Sequence, residues 1–552
     1  MRKAVPVLWV SIIWFLMFAF IIRIAEIVHR KGYIKERKEA MGSYANSLSY
    51  HYLGADAPPT REERIGACHA FCGSCGQLSG DIKSGCAQLQ NRKFSQSGGC
   101  QLTLAVGIVS SFTNVVMIVH SPLGCCSNFV GNSGLRKTMR ASKGKPNEEF
   151  VWLHTNMDEL DVVQGGIDKL RKAVLYAEKE YHPDAIIIAN GCVPGIIGDD
   201  IDSLVGELRD QIAAKIVPVH CEGFKSKYVA SGYDSAYHGV LKYLIEPPEK
   251  ENSAVPGANE ERELKDKYRI SRTVNIFNVG SNSNGDEVEL ARLLSAIGLI
   301  PKVLPLHASV EELAHIGEAA LNVSICATHD DYLLGHLKER FGTDYLIDTL
   351  PIGIRNTNQW IRKIAAYFHL EEEAEKLIAF ENSELDKALE PLKTVLAGKK
   401  VFVGGGETRI LTTAEFFYSL GMELVGVKAH NVDRFVEDML EDMKAPELLI
   451  EVGAGQPAEE LNLLRKLKPD LYIGHLNANG WVSKLGIPNF PLFGQSLNYM
   501  GYSGAFELAR KAVKVLKNTN FVKNVSANIS LPLSESWYGK DPRENIKEAV
   551  NY

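Results

Sequence analysis

The chain has 552 residues, of which 23% are charged and 45% hydrophobic, and its formal net charge is −6. These proportions exclude a disordered or fibrous protein, and the acidic balance lacks the basic excess of nucleic-acid-binding proteins. The length predicts about three or four domains of roughly 100–200 residues each.

The first distinctive element is an uncharged apolar run at residues 5–22, flanked by basic residues. A helix of this length would span about 27 Å, close to the ~30 Å hydrocarbon core of a bilayer. The run therefore predicts a signal anchor or a single membrane span. Because the polar stretch that opens at Met41 is also a natural start, translation from Met41 is the alternative. The rest of the chain predicts a cytoplasmic protein in either case.

Apolar runs then alternate with amphipathic segments along the chain. The runs lie at 115–119, 185–189, 216–219, 273–277, 321–325, 400–403, 423–427, 448–452 and 471–473. Continuous apolar runs are typical of strands buried on both faces of a parallel sheet. Amphipathic helices are predicted at 166–181, 287–297 and 357–389, and a hydrophilic linker at 246–267. The alternation predicts an α/β fold of three Rossmann-like domains with mainly parallel sheets.

The predicted organisation has five parts. They are an N-terminal hydrophobic extension (1–60), a first α/β domain (61–268), a second (269–395), a third (396–540) and a tail (541–552).

Ten cysteines are present, and seven of them lie between residues 68 and 126. In a large α/β chain such a cluster favours metal binding over disulfides or inert buried thiols. Cys125, Cys192 and Cys326 each follow an apolar run, and Cys100 follows a double glycine. The carboxyl ends of parallel strands are where such sheets bind ligands, and thiolates are the ligands of iron–sulfur clusters. The alternative is a small apolar residue at a tight turn.

A second set of thiols, Cys68, Cys72, Cys75 and Cys86, lies close together in the sequence. Three thiolates within eight residues, with a fourth nearby, suit an additional [4Fe–4S] cluster, and zinc is the chemical alternative.

Several segments between about residues 95 and 520 resemble motifs of the nitrogenase component 1 family and occur in the same order along the chain. They are SGGCQLTLAVG with Cys100, HSPLGC with Cys125, NGCVPGIIGDD with Cys192, DELDVVQGG at 158–166, HCEGF at 220–224 and GGGETR at 404–409. A further segment, LNVSICATHDDY with Cys326, resembles the family's alpha-type, cofactor-bearing subunit.

The resemblance implies a set of cofactors and partners. Cys100, Cys125 and Cys192 would hold a [4Fe–4S] or P-cluster-like interface cluster shared with a homologous beta-type subunit, in an α2β2 heterotetramer, or with a second copy of the chain. Cys326 would anchor a large iron–sulfur cofactor. An ATP-dependent iron–sulfur reductase protein would deliver electrons for the reduction of a small molecule.

The chain also departs from the family pattern at the cofactor. The family's second cofactor ligand is a histidine, and this chain has Gln495 in the matching region. Two further positions near the cofactor, a glutamine and a histidine in the family, are Val229 and Tyr233 here. An arginine that helps hold the cofactor falls near Glu407, although Arg409 follows. A neutral imidazole is a better metal ligand than an amide, so these changes argue against dinitrogen as the substrate.

Three histidines are candidates for replacement ligands or proton donors. They are His329, His430 and His475. The alternative for His430 and His475 is an ordinary hydrogen-bonded side chain at the end of a strand.

The sequence therefore predicts a nitrogenase-like reductase subunit, with methylthio-alkane reductases as the best fit by analogy. The alternatives are a scaffold for nitrogenase cofactor assembly, a nitrogenase alpha-like dinitrogen reductase and a tetrapyrrole reductase, which Cys326 argues against. A membrane-tethered electron-transfer protein is a further alternative if the first 40 residues are translated.

Overall fold

A computed structural model describes residues 51–96, 99–129, 150–246, 267–278, 285–347, 350–474, 476–492, 497–531 and 533–548. The chain divides into two units, residues 1–51 and 52–552, and the α/β architecture lies in the second. The candidate membrane segment, Met41, nearly all of the predicted linker, His475 and Gln495 lie outside the described residues. Among the residues that are described, no helix has both the length and the apolarity needed to cross a bilayer.

The strands, in chain order, are β1 (Ala67–Cys68), β2 (Phe71–Ser74), β3 (Gln90–Arg92), β4 (Val115–His120), β5 (Val151–His154), β6 (Ala185–Asn190), β7 (Lys215–His220), β8 (Thr273–Phe277), β9 (Ile300–Leu304), β10 (Leu321–Ser324), β11 (Asp344–Leu346), β12 (Lys400–Gly405), β13 (Glu423–Ala429), β14 (Val432–Asp433), β15 (Leu449–Val452), β16 (Leu471–Gly474), β17 (Asn489–Pro491) and β18 (Ile546–Glu548). All nine predicted strands are present to within two residues at either end.

The helices are His51–Gly54, Arg61–Ile65, Cys75–Ser84, Gln101–Val109, Glu159–Gln164, Ile167–Tyr181, Cys192–Ile197, Ile201–Leu208, Ser231–Tyr243, Asp286–Ala296, Val310–Ala314, Ala327–Phe341, Ile354–Phe368, Glu371–Leu396, Glu407–Ser419, Glu437–Asp442, Pro457–Leu467, Leu476–Lys484, Gly501–Lys517, Asn520–Asn528 and Glu535–Tyr538. The predicted helix at 357–389 is two helices, which are separated at His369, a residue with a positive φ of 58°.

Three sheets form the framework, in the strand orders β5-β4-β6-β7, β11-β10-β8-β9 and β17-β16-β12-β13-β15-β2. Every pairing in them is parallel except that between β15 and β2. The predicted α/β fold with three mainly parallel sheets is confirmed. The central strands β4 and β6 are buried along their whole length, which is why they read as continuous apolar runs.

Nine strands were not predicted from the sequence, and five of them belong to the three sheets, namely β2, β5, β9, β11 and β17. Each of these five lies at the edge of its sheet. Most of their residues are only partly buried. An edge strand packs on fewer neighbours, so its sequence carries a weaker apolar signal.

Residues 61–96, which were predicted to belong to the first α/β domain, contribute strands that pair outside the first sheet. Strand β2 extends the third sheet, with Cys72 opposite Glu451, and β1 pairs with β14. The predicted tail also contributes a strand, because β18 pairs with β3. These pairings join segments far apart in sequence, which local patterns do not encode.

Candidate functional site

Three half-exposed thiols lie near the carboxyl edge of the first sheet. Cys100 directly precedes the helix Gln101–Val109, Cys125 follows β4, and Cys192 opens the helix Cys192–Ile197 after β6. Because β4 and β6 are neighbours in parallel register, the chain leaves both strands at the same edge. The fold thus brings Cys125 and Cys192 to one place.

Gly223 shows how closely the thiols converge. A Cβ at this position would lie 3.2 Å from the Cys100 Sγ and 3.3 Å from the Cys192 Sγ, so both sulfur atoms flank one point. Burial raises the pKa of Cys100, and the nearby Cys192 and Cys125 thiols add to that rise. The structure therefore brings the three thiols together.

The spacing of the thiols indicates the kind of group that fits them. Among the described residues, no three His, Cys, Asp or Glu side chains surround a point as a single metal ion requires. A cluster keeps its thiolates farther apart, because iron and sulfide atoms stand between them. Three convergent, half-exposed thiols supply the ligand chemistry that a shared iron–sulfur cluster requires.

Charged groups surround the buried side of this thiol group. Burial raises the pKa of the Cys221 thiol, which lies behind Cys100 and Cys192. Glu222 is buried and accepts hydrogen bonds from Asn190 Nδ2 at 2.9 Å and from Lys225 Nζ at 2.9 Å. His220 pairs with Asp202 at 2.8 Å. Burial opposes ionisation of His220, but Asp202 and Glu222 outweigh it and raise its pKa to about 9.

Large apolar side chains are exposed next to the thiols in sequence. Leu123 precedes Cys125, Phe224 follows Gly223, and Ile196, in the helix that Cys192 opens, is 70% exposed. The neighbouring helix Glu159–Gln164 exposes Val163 to 83%. Exposed apolar side chains concentrated at one place are typical of a protein interface.

A separate candidate site surrounds Cys326, a buried thiol just after β10. This cysteine caps the helix Ala327–Phe341, and its Sγ lies 3.7 Å from the Thr408 Oγ1. Burial raises the pKa of Cys326 to about 11, and the Arg409 guanidinium opposes that rise. Arg409 donates a hydrogen bond to the Tyr499 hydroxyl at 2.9 Å. A buried thiol beside a fixed cation suits an anionic group.

His329 lies one turn after Cys326, and its ring contacts the Tyr233 ring at a tilt of 43°, with their ring centroids 3.9 Å apart. Burial, with the Arg409 and Arg61 cations adding to it, holds the pKa of His329 well below its usual range, so the imidazole is neutral. Its Nδ1 is buried and has no hydrogen-bond partner among the described residues. An unpaired buried nitrogen is costly, which makes it a ready contact for a bound group.

The other predicted site residues are less well defined. His430 is half-buried and follows β13, and its backbone N–H donates to the Gly405 carbonyl at 3.0 Å. His475 and Gln495 lie outside the described residues, so whether they face Cys326 stays a prediction.

The Cys68, Cys72, Cys75 and Cys86 set spreads over different elements. Cys68 is buried in β1, Cys72 is in β2, Cys75 opens a helix, and Cys86 is exposed. Burial is the main cause that raises the pKa of Cys68, Cys72 and Cys75. None of these three shifts is caused by a neighbouring cysteine thiol. The additional cluster therefore stays a prediction from the sequence.

Comparison with known proteins identifies the family. The profile of the nitrogenase component 1 type oxidoreductases matches residues 100–517. The chain belongs to this family. It is therefore a nitrogenase component 1 type subunit, from a family of oxidoreductases that bind iron–sulfur clusters, as predicted. The matched region includes the three convergent thiols, Cys326 and Arg409, whereas Cys68 to Cys86 precede it.

Individual relatives are distant. The nitrogenase molybdenum–iron protein alpha chain of Methanosarcina barkeri is 26% identical over 75% of this chain and 84% of its own length. The nitrogenase iron–molybdenum cofactor biosynthesis protein NifE of a Nostoc species is 27% identical over 79% of this chain and 87% of its own. A solved structure, nitrogenase Cp1 at pH 5, has a TM-score of 0.65 and 22% identity, covering 80% of this chain and 92% of that one. This last likeness supports the component 1 fold.

Several residues near Cys326 were not predicted from the sequence, above all Arg61 and Arg64, which lie before the family match. Both are buried and paired with aspartates. A capping box formed by Thr60 and Glu63 marks their short helix and was the one local signal available.

Proposed function

We propose that this chain is the cofactor-bearing subunit of a nitrogenase-like, ATP-dependent reductase acting on a substrate other than dinitrogen. The observation that carries this proposal is the arrangement at Cys326. A buried thiol, the Arg409 guanidinium and a neutral histidine with an unpaired nitrogen lie together, in the same chain as three convergent surface thiols.

Cys100, Cys125 and Cys192 would hold an interface iron–sulfur cluster, either [4Fe–4S] or P-cluster-like. Their partial exposure leaves room for ligands from a second, beta-type subunit or from another copy of the chain. The exposed Leu123, Ile196 and Phe224 support a protein contact at this face. An iron–sulfur reductase protein would supply electrons through the cluster.

Cys326 and Arg409 would hold the large iron–sulfur cofactor, which when bound would supply the redox chemistry. Cys326 must lose its proton to bind, and Arg409 favours the thiolate. His329 is held neutral and could accept a hydrogen bond or contact the group through Nδ1. The buried walls exclude water, which strengthens each of these interactions.

The proposed substrate class follows from the residues beside Cys326. Tyr233 takes a position where the family pattern has a histidine, and its ring covers His329. Gln495 and Val229 add to the departures from the dinitrogen-reducing pattern. Cleavage of a carbon–sulfur bond is the reaction we propose within this class.

A scaffold for nitrogenase cofactor assembly is the second candidate, since NifE proteins are among the relatives at 26–28% identity. A dinitrogen reductase is the third, since molybdenum–iron alpha chains are relatives too.

Anaerobic purification with iron analysis and EPR tests the proposal. Roughly four irons per chain would indicate only an interface cluster, and markedly more would support a second cofactor. Cys326→Ala should remove the excess iron and leave the interface signal, whereas Cys192→Ala should do the reverse. Retention of all the iron in Cys326→Ala would contradict the proposal.

A transfer assay separates the first two candidates. A scaffold should pass its cofactor to a cofactor-free nitrogenase. A reductase should keep the cofactor and turn over with its own reductase protein. Dinitrogen reduction by the purified complex would favour the third candidate.

A further inference from the structure

Two buried arginines join parts of the chain that are far apart in sequence. Arg61 pairs with Asp234 at 3.1 Å, with Asp331 at 2.6 Å and with Asp433 at 3.0 Å. Arg64 pairs with Asp331 at 2.7 Å and with Asp234 at 2.8 Å. All five side chains are at most 4% exposed.

Each of the three aspartates follows a strand of a different one of the three sheets. Asp234 lies on the helix Ser231–Tyr243 after the first sheet, Asp331 on the helix Ala327–Phe341 after β10, and Asp433 in β14, which lies in the chain between β13 and β15 of the third sheet. Three buried carboxylates at one junction repel one another and lose their hydration. The two guanidiniums offset this cost, because Arg61 pairs with all three carboxylates and Arg64 with two of them.

The segment that carries the arginines is itself firmly held. The Glu62 carboxylate accepts hydrogen bonds from the backbone N–H groups of Lys227 at 2.7 Å and Tyr228 at 3.0 Å, and from the Ser226 hydroxyl. The Arg61 backbone N–H donates to the Ser231 hydroxyl at 3.0 Å. The segment is thus docked through its main chain as well as through its charges.

The ion pairs reach the surroundings of Cys326 directly. Asp331 is on the helix that Cys326 caps. The Thr328 hydroxyl lies within hydrogen-bond distance of two carboxylates, that of Glu407 and, at 3.4 Å, that of Asp433. Glu407 opens the helix that carries Thr408 and Arg409, the two residues that face Cys326.

We propose that Arg61 and Arg64 are positioning residues of the Cys326 site. They hold the helix after Cys326 and the helix from Glu407 in register, so that the Cys326 thiol faces Thr408 and Arg409 and stays closed to solvent. The proposal rests on the proposed function only for the identity of the group that Cys326 binds.

Thiol labelling of the metal-free, full-length protein tests this role. Iodoacetamide labelling of a buried thiol tracks the population of open forms, and mass spectrometry reads it separately at each cysteine. Arg61→Gln should speed labelling of Cys326 by about tenfold or more and leave the buried Cys221 unchanged. Arg61→Lys keeps the positive charge but loses the planar guanidinium that pairs with several carboxylates at once. It should give an intermediate rate of Cys326 labelling.

Two further variants complete the design. Arg61→Gln/Asp433→Asn removes one charge of each sign and should return Cys326 labelling toward the wild-type rate. Arg171→Gln, at an exposed pair with Glu207, should change nothing. If Arg61→Gln does not fold, Arg64→Gln carries the same expectation, because Arg61 still spans all three aspartates in it.

Two results would overturn the proposal. One is equal labelling of Cys326 in the wild type and in the Arg61 and Arg64 variants. The other is a parallel rise at Cys326 and Cys221, which would mean general unfolding. Iron analysis is independent of this test, so a protein without cofactor iron would remove the proposed function and leave the positioning role intact.

Discussion

Arg61 Nη1 lies 2.6 Å from Asp331 Oδ1, although the two residues are 270 positions apart. Arg61 precedes the part of the chain that matches the family, and Asp331 is on the helix that Cys326 caps. Both side chains are almost fully removed from water, so each charge depends on the other. Stability and site geometry are therefore coupled in this protein.

Arg61→Met should lower the free energy of unfolding by about 3–5 kcal/mol, because it leaves buried carboxylates without one of their cations. Urea unfolding measures this change. Arg171→Met, which breaks the exposed pair with Glu207, should cost about 0–1 kcal/mol. A loss in Arg61→Met no larger than that of Arg171→Met would contradict the expectation.

Gly223→Ala should displace the thiols from their shared position. The added Cβ would lie 2.8 Å from the Cys100 Cβ and would crowd the Cys100 and Cys192 sulfur atoms. We expect loss of the interface-cluster EPR signal and of its iron after anaerobic purification. Gly206→Ala is the matched control, since nothing lies within 4 Å of its added Cβ. A full iron content in Gly223→Ala would show that these thiols do not share a cluster.

His220 should make stability depend on pH above neutrality. Asp202 and Glu222 raise its folded pKa to about 9 against an ordinary value of 6.5. The stabilisation is complete below about pH 6.5 and is lost as the pH rises toward 9. Its size is on the order of 2 kcal/mol. Denaturation of wild type and His220→Gln across this range should show a difference that shrinks as the pH rises. A constant difference would refute the assignment.

Glu451 should act in the opposite sense, by destabilising the folded state at high pH. It is buried in β15, and within the described part of the chain neither of its carboxylate oxygens has a hydrogen-bond partner. Burial raises its pKa to about 8, with Lys428 and Arg92 opposing the rise. The unfolded carboxyl ionises near pH 4.5 but the folded one does not, so stability falls between about pH 4.5 and 8.

Glu451→Gln should therefore be more stable than wild type at pH 8 by on the order of 2 kcal/mol, with the gain fading toward pH 4.5. Urea unfolding at several pH values measures it. The exposed Glu423→Gln should show no such trend. A gain of the same size at pH 4.5 would rule out titration as the cause.

The sequence predicted the framework well, for a physical reason. Strands such as β4 and β6 are buried on both faces, so their apolar runs are continuous and can be recognised in the sequence. The edge strands β5 and β17 were not predicted because they are only 4 and 3 residues long and are partly exposed. Cys125 and Cys192 could be placed because both follow central strands, and parallel neighbours end at one edge.

The candidate site was less predictable where it depends on contacts between distant segments. The ring contact between His329 and Tyr233 joins two helices about a hundred residues apart, and no local pattern marks it. The separation of Cys68, Cys72 and Cys75 onto different elements follows from pairing with β14 and β15, which sequence spacing does not reveal.

The amino-acid sequence by itself determined the α/β class, the positions of the core strands and the thiols at their ends, because burial and turn chemistry act over a few residues. Tertiary structure alone decided which thiols meet, and how the two arginines before the family match are buried at a three-way junction. Those outcomes depend on electrostatic contacts between side chains brought together from all along the chain.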